Sequence, residues 1–165
     1  MTERILFVFE GEKTEKTITD SLLKKFIEND KRVVLSSFKT DIYSLYKLMS
    51  EDEDLDVFAV LKEKNPDLVD FDRDSFSQLF LFFDYDGHAP AASDEKIDKL
   101  LSFFNEETEN GKLFISYPMV ESIKCISHID AIEDFCRHTV KICDCSKFKG
   151  YVAEYAHKSL IHFNL

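Results

Sequence analysis

Tryptophan is absent from this 165-residue chain, basic residues are outnumbered, and long apolar runs are missing. A membrane-spanning helix needs about 20 consecutive apolar residues, and no stretch approaches that length. The first apolar run is Ile5-Leu6-Phe7-Val8-Phe9, preceded by Thr2-Glu3-Arg4. It has neither the length nor the small-residue cleavage pattern of a secretory signal. All four cysteines (Cys125, Cys136, Cys143, Cys145) fall in the final quarter. A disulfide framework would spread them along the chain, so reduced thiols in a cytoplasmic protein are expected. The 21 basic residues against 32 acidic ones leave a net charge of −11. That sign argues against a plain electrostatic binder of nucleic acid, which carries a basic stripe. An enzyme acting on nucleic acid survives the test, because bound divalent ions invert the local field.

What remains is a core-forming sequence. Hydrophobic residues make up 44% of the chain, with sixteen phenylalanines among them. The length suits one compact domain with a sizeable core. Repeats, low-complexity tracts and obvious linkers are absent.

The hydrophobic pattern predicts alternating strands and helices. Arg4–Phe9 reads as a strand, followed by a helix from Thr14 carrying Ile18, Leu22 and Phe26 on one face. Val33-Val34-Leu35 supplies a second strand, and Thr40 or Asp41 caps a helix bearing Ile42, Leu45, Tyr46 and Met49. Residues 50–77 read as an acidic insertion with a helix from Leu55 to Lys64. Asp70, Asp72 and Asp74 are spaced like the start of a calcium loop, but the required glycine and distal glutamate do not follow. Gln78 to Asp84 is a strand with an apolar run, Leu79 to Phe83, long enough to be buried on both faces. Ser93 or Asp94 caps a helix carrying Ile97, Leu100, Leu101 and Phe104. Asn110-Gly111 marks a turn before a fourth strand, Lys112 to Ser116, which Tyr117-Pro118 stops. Helical periodicity resumes at Met119. Residues 130–165 are expected to be mostly helical, with a break near Cys143 to Gly150. The expected class is α/β, a mostly parallel sheet of about four strands with helices on both faces.

Two acidic clusters follow the two most apolar runs. Glu10-Gly11-Glu12-Lys13-Thr14-Glu15 comes after the first strand, and Asp84-Tyr85-Asp86-Gly87 after the third. Carboxylates at the carboxyl ends of parallel strands land in the crevice where open α/β sheets bind ligands. Acids converging there repel one another unless a cation intervenes, and Mg²⁺ or Mn²⁺ suits oxygen-only ligands. Such a cluster serves phosphoryl transfer by neutralising phosphate oxygens and activating water. Glu12 and Glu15 have a second explanation as acids at a helix amino terminus.

These motifs resemble the TOPRIM domain, and most closely its OLD-like and RloB-like members. The likeness rests on Glu10-Gly11 after the first strand and Asp84-Tyr85-Asp86 after a later one. It spans roughly the first three-quarters of the chain and weakens after about Ile126. The resemblance implies a TOPRIM-like domain over residues 1–127 with a helical extension over 128–165. It also implies Mg²⁺- or Mn²⁺-dependent phosphodiester hydrolysis on DNA or RNA, in nucleic-acid processing or bacterial defence. Glu10, Asp84 and Asp86 would carry the chemistry, and Glu15 and Glu121 would be further metal ligands. A non-catalytic module of a larger complex, bound to a partner protein or a second copy, is the alternative.

Leu81-Phe82-Phe83-Asp84-Tyr85-Asp86-Gly87 also resembles the nucleophile motif of HAD-type phosphatases. Position 88 is His rather than Thr or Val, however, and that reading leaves Glu10-Gly11 unexplained. His88 could ligate a metal, orient a phosphate or cap the turn. Cys136, His138, Cys143 and Cys145 offer four zinc-type ligands, but their spacing fits structural zinc sites poorly. Lys147, Lys149, His157 and Lys158, with Tyr151 and Tyr155 between them, form either a basic-aromatic patch or a solvated helix face.

Overall fold

The computed structural model describes residues 4–11, 32–52, 54–126 and 132–155. The helix expected from Thr14 lies outside them, as do Glu12 and Glu15. Among the described residues five strands form one sheet: β1 (Arg4–Phe9), β2 (Arg32–Ser37), β3 (Gln78–Asp84), β4 (Asn105–Glu106) and β5 (Gly111–Ser116). Their order is β2-β1-β3-β5-β4, with helices on both sides of the sheet. Every pairing is parallel except β4 with β5.

The fifth strand is the addition to the expected count of about four. At two residues, β4 is too short to leave a periodic signature, and it forms by folding back on β5. The turn uses Gly111 at φ 107, where a Cβ would stand 2.9 Å from Leu79 Cγ. Glycine is therefore required there both for backbone sign and for space.

Between β2 and β3 run α1 (Ile42–Glu51) and α2 (Val57–Lys64). Asp41 caps α1 by accepting hydrogen bonds from the amides of Tyr43 and Ser44. Asp56 does the same for Ala59, so α2 begins at Val57 rather than at Leu55. Residues 50–77 contribute Leu55, Val57, Phe58, Leu61, Leu68 and Phe76 to the main core. The Arg73 guanidinium ties this segment to the β4–β5 hairpin by donating to the carbonyls of Phe76, Glu107 and Glu109.

The two sheet faces differ. Leu6, Val8, Leu79, Leu81 and Phe83 are essentially sealed within that main core. The opposite face carries Phe7, Phe9, Phe80, Phe82 and Phe114, linked by ring contacts of 5.2–6.1 Å. Phe80 and Phe82 are only half-buried, so β3 alternates in burial rather than being enclosed on both sides.

α3 (Asp94–Phe103) follows β3 with Ser93 at its N-cap position and buries Ile97 and Leu100. Leu101, expected on that face, is 40% exposed. After β5 the chain passes a cis Tyr117–Pro118 bond into a 3₁₀ segment, Val120–Cys125. Helical periodicity was expected from Met119. The first amide of the 3₁₀ segment instead serves a carboxylate of β3, and the turns close i to i+3, as in Ser122 to Met119.

The carboxyl-terminal part forms α4 (Ile132–Phe135) and α5 (Cys145–Tyr155). The break expected near Cys143 to Gly150 falls earlier, at 136–144. Cys145, Phe148 and Val152 share one buried face of α5, while Gly150 faces open space and interrupts nothing.

Asn65 links α2 to the sheet. Its buried amide donates to the carbonyls of Ser37 and Leu61, both at 2.9 Å. Asn65→Ala strands the Ser37 carbonyl, while the Leu61 carbonyl keeps the Asn65 backbone amide, and is expected to cost about 1–3 kcal/mol in a urea titration. A loss within error would show that water replaces the amide.

Candidate functional site

The chain leaves β1 toward β2 and leaves β3 toward β5, in opposite directions across the sheet. The carboxyl ends of β1 and β3 therefore flank a topological switch point, the place where open α/β sheets bind their ligands. Phe9 is in register with Phe82, and the Glu10 amide extends the ladder to the Phe82 carbonyl at 3.0 Å. Glu10 and Asp84 thus emerge side by side.

Glu10 Oε2 accepts a hydrogen bond from the Asp84 backbone amide at 2.9 Å. Asp84 Oδ1 in turn accepts from the Val120 amide at 2.8 Å, fastening the segment after β5 to the end of β3. Two of the sequence-predicted site residues, 74 positions apart, are thereby in direct contact. Both are partly exposed.

Asp86 lies two residues beyond β3 with φ 46, so a turn rather than the strand pleat aims its side chain. Its charge contributes to raising both the Tyr43 phenol and the Cys145 thiol, after the larger effect of burial in each. Asp86 therefore sits within electrostatic reach of the starts of α1 and α5.

Glu121 is 4% exposed and adjoins Val120, close in sequence to the Asp84 contact. Its Oε1 pairs with Lys149 Nζ of α5 at 2.9 Å. Glu15 lies outside the described residues. His88 is exposed in the loop after Asp86. Among the described residues, no three of His, Cys, Asp and Glu gather closely enough to hold a metal ion.

In the cysteine-rich segment Cys145 is buried, with its thiol donating to the Lys141 carbonyl, while Cys136 and Cys143 are exposed. Of the basic-aromatic patch, Lys149 serves Glu121, whereas His157 and Lys158 lie outside the described residues. No helix among the described residues is long and apolar enough to cross a membrane.

Three contacts around this site left no local signal in the sequence. The Tyr43 hydroxyl donates to the Tyr85 carbonyl at 2.9 Å, bracing the turn after β3. The Tyr85 hydroxyl donates to Asp94 Oδ1 at 2.6 Å. The third is the Glu121–Lys149 pair. Each joins residues whose proximity depends on the folded chain.

The Tyr85 phenol is pushed up to about 12, first by its hydrogen bond to Asp94 and then by burial. A raised folded-state value stabilises the fold fully below the ordinary tyrosine value near 10. That contribution is lost as pH rises through about 12. Alkaline difference spectra should show a late tyrosine step near 12 that disappears in Tyr85→Phe and moves down in Asp94→Asn. An unchanged titration in Asp94→Asn would remove the carboxylate as the cause.

Compared with protein-family models, with curated proteins and with solved structures, the chain finds no match.

Proposed function

We propose that the chain carries a TOPRIM-like metal centre and hydrolyses phosphodiester bonds in DNA or RNA. The supporting observation is the contact between Glu10 and Asp84 at the sheet's switch point. The donor chemistry fits Mg²⁺ or Mn²⁺, because both side chains offer only oxygen. Mg²⁺ is commonly bound by one or two carboxylates, with substrate phosphate and water completing its shell. Glu10 and Asp84 would hold it, with Asp86, Glu15 and Glu121 as further candidate ligands. The bound ion would supply positive charge for phosphate oxygens and an activated water.

The chain's own part is positional. The Asp84 amide orients the Glu10 carboxylate, and the Val120 amide orients that of Asp84. Neither side chain then has to search rotamers when a substrate arrives.

A cleavage assay on labelled single- and double-stranded DNA and RNA, with Mg²⁺, Mn²⁺ or a chelator, tests this directly. Divalent-dependent products support the proposal; folded protein that cleaves none of these substrates with either metal overturns it.

A second reading draws on the Glu121–Lys149 pair, which already supplies one buried carboxylate with an internal cation. In that reading the chain is a non-catalytic TOPRIM-like module of a nucleic-acid-processing or defence complex. Calorimetric titration with Mn²⁺ separates the two, since the module requires no metal uptake.

A further inference from the structure

We propose that the cavity between the segment after β5 and the carboxyl-terminal helices binds a nucleobase of a nucleotide unit. The assignment rests on the nucleic-acid reading above and names the part of the substrate that the chain grips. The cavity encloses about 620 Å³, within the range of roughly 300–1,000 Å³ typical of small-ligand sites. Its walls include four aromatic rings, Tyr117, Phe135, Phe148 and Tyr151, together with Lys124 and His138.

Three observations select a base over other ligands. First, flat rings line the space, and a base gains affinity by stacking on an aromatic side chain. Tyr117 and Tyr151 keep 45% and 58% of their surfaces exposed at the rim. The Tyr117 ring is already fixed, because its hydroxyl donates to the Val140 carbonyl at 2.6 Å.

Second, the cavity lies next to the acidic end of β3. The Tyr117 ring packs 5.3 Å from that of Tyr85, the residue between Asp84 and Asp86. The Val120 amide, three residues further on, holds Asp84 itself. A base seated beside Tyr117 would keep its attached phosphate near the carboxylates.

Third, a chain of net charge −11 cannot rely on long-range attraction of phosphate. Affinity has to come from the uncharged part of the nucleotide, and Lys124 supplies a local cation for the charged part.

The test uses saturation-transfer NMR and calorimetry with adenosine, AMP and a short oligonucleotide on the full chain in chelator. Adenosine is expected to bind without metal, and Tyr151→Ala to weaken it about tenfold. Tyr151 is largely exposed, and its removal leaves the buried face of α5 (Cys145, Phe148, Val152) intact. Lys124→Glu should weaken AMP while leaving adenosine unchanged. Asp84→Asn should leave adenosine affinity unaltered, so a failed metal centre and a failed base site give different results. Tighter binding of the oligonucleotide than of AMP assigns the base to a strand, and the reverse assigns it to a free nucleotide. Absence of adenosine, AMP and oligonucleotide binding by the folded chain overturns the proposal. So does adenosine binding that survives both Tyr151→Ala and Phe135→Ala.

Discussion

Asp84→Asn is expected to lower the proposed divalent-dependent cleavage by about 10²–10³-fold or more, while leaving the fold in place. Asparagine keeps an oxygen at the position that accepts from the Val120 amide, so the connection between β3 and the segment after β5 survives. What disappears is the negative charge needed to hold a divalent cation. Glu10→Gln follows the same logic, because its side-chain oxygen still accepts from the Asp84 amide. Alanine at either position would confuse the result by stranding a backbone donor. The check is a single-turnover cleavage assay paired with thermal melting. Full activity in a normally folded Asp84→Asn variant would eliminate the metal-centre proposal.

Phe83→Ala carries the largest expected stability loss, about 3–5 kcal/mol. The ring is 1% exposed, and it meets Phe38 edge-on at a centroid separation of 5.8 Å. Core phenylalanines leave cavities that neighbours only partly fill. Against a total stability of about 5–15 kcal/mol for a typical domain, that is roughly a fifth of the margin or more. Phe114→Ala, on the opposite face and 45% exposed, should cost much less. Urea denaturation of both variants compares the two faces directly. Equal losses would mean that the sheet's two sides share the burden, contrary to their difference in burial.

Much of the secondary structure was legible because hydrophobic period and caps agree. β3 was readable to its terminal residues, and Asp41 and Ser93 mark helix starts that the structure reproduces. The carboxyl-terminal break was misplaced because Gly150 looks like a terminator. In the folded chain Cys145, Phe148 and Val152 pack on one side and carry the helix through it. β4 escaped notice because a two-residue strand exists only through its partner.

Local patterning alone placed Glu10 and Asp84 at the ends of apolar strands, since burial and polarity change abruptly at those points. Only the tertiary structure decided that β1 and β3 are neighbours, that the Asp84 amide meets Glu10, and that Lys149 reaches Glu121. Strand order and ion-pair partners depend on which crossovers bury the most surface across the whole chain. Windows of a few residues carry no record of that choice.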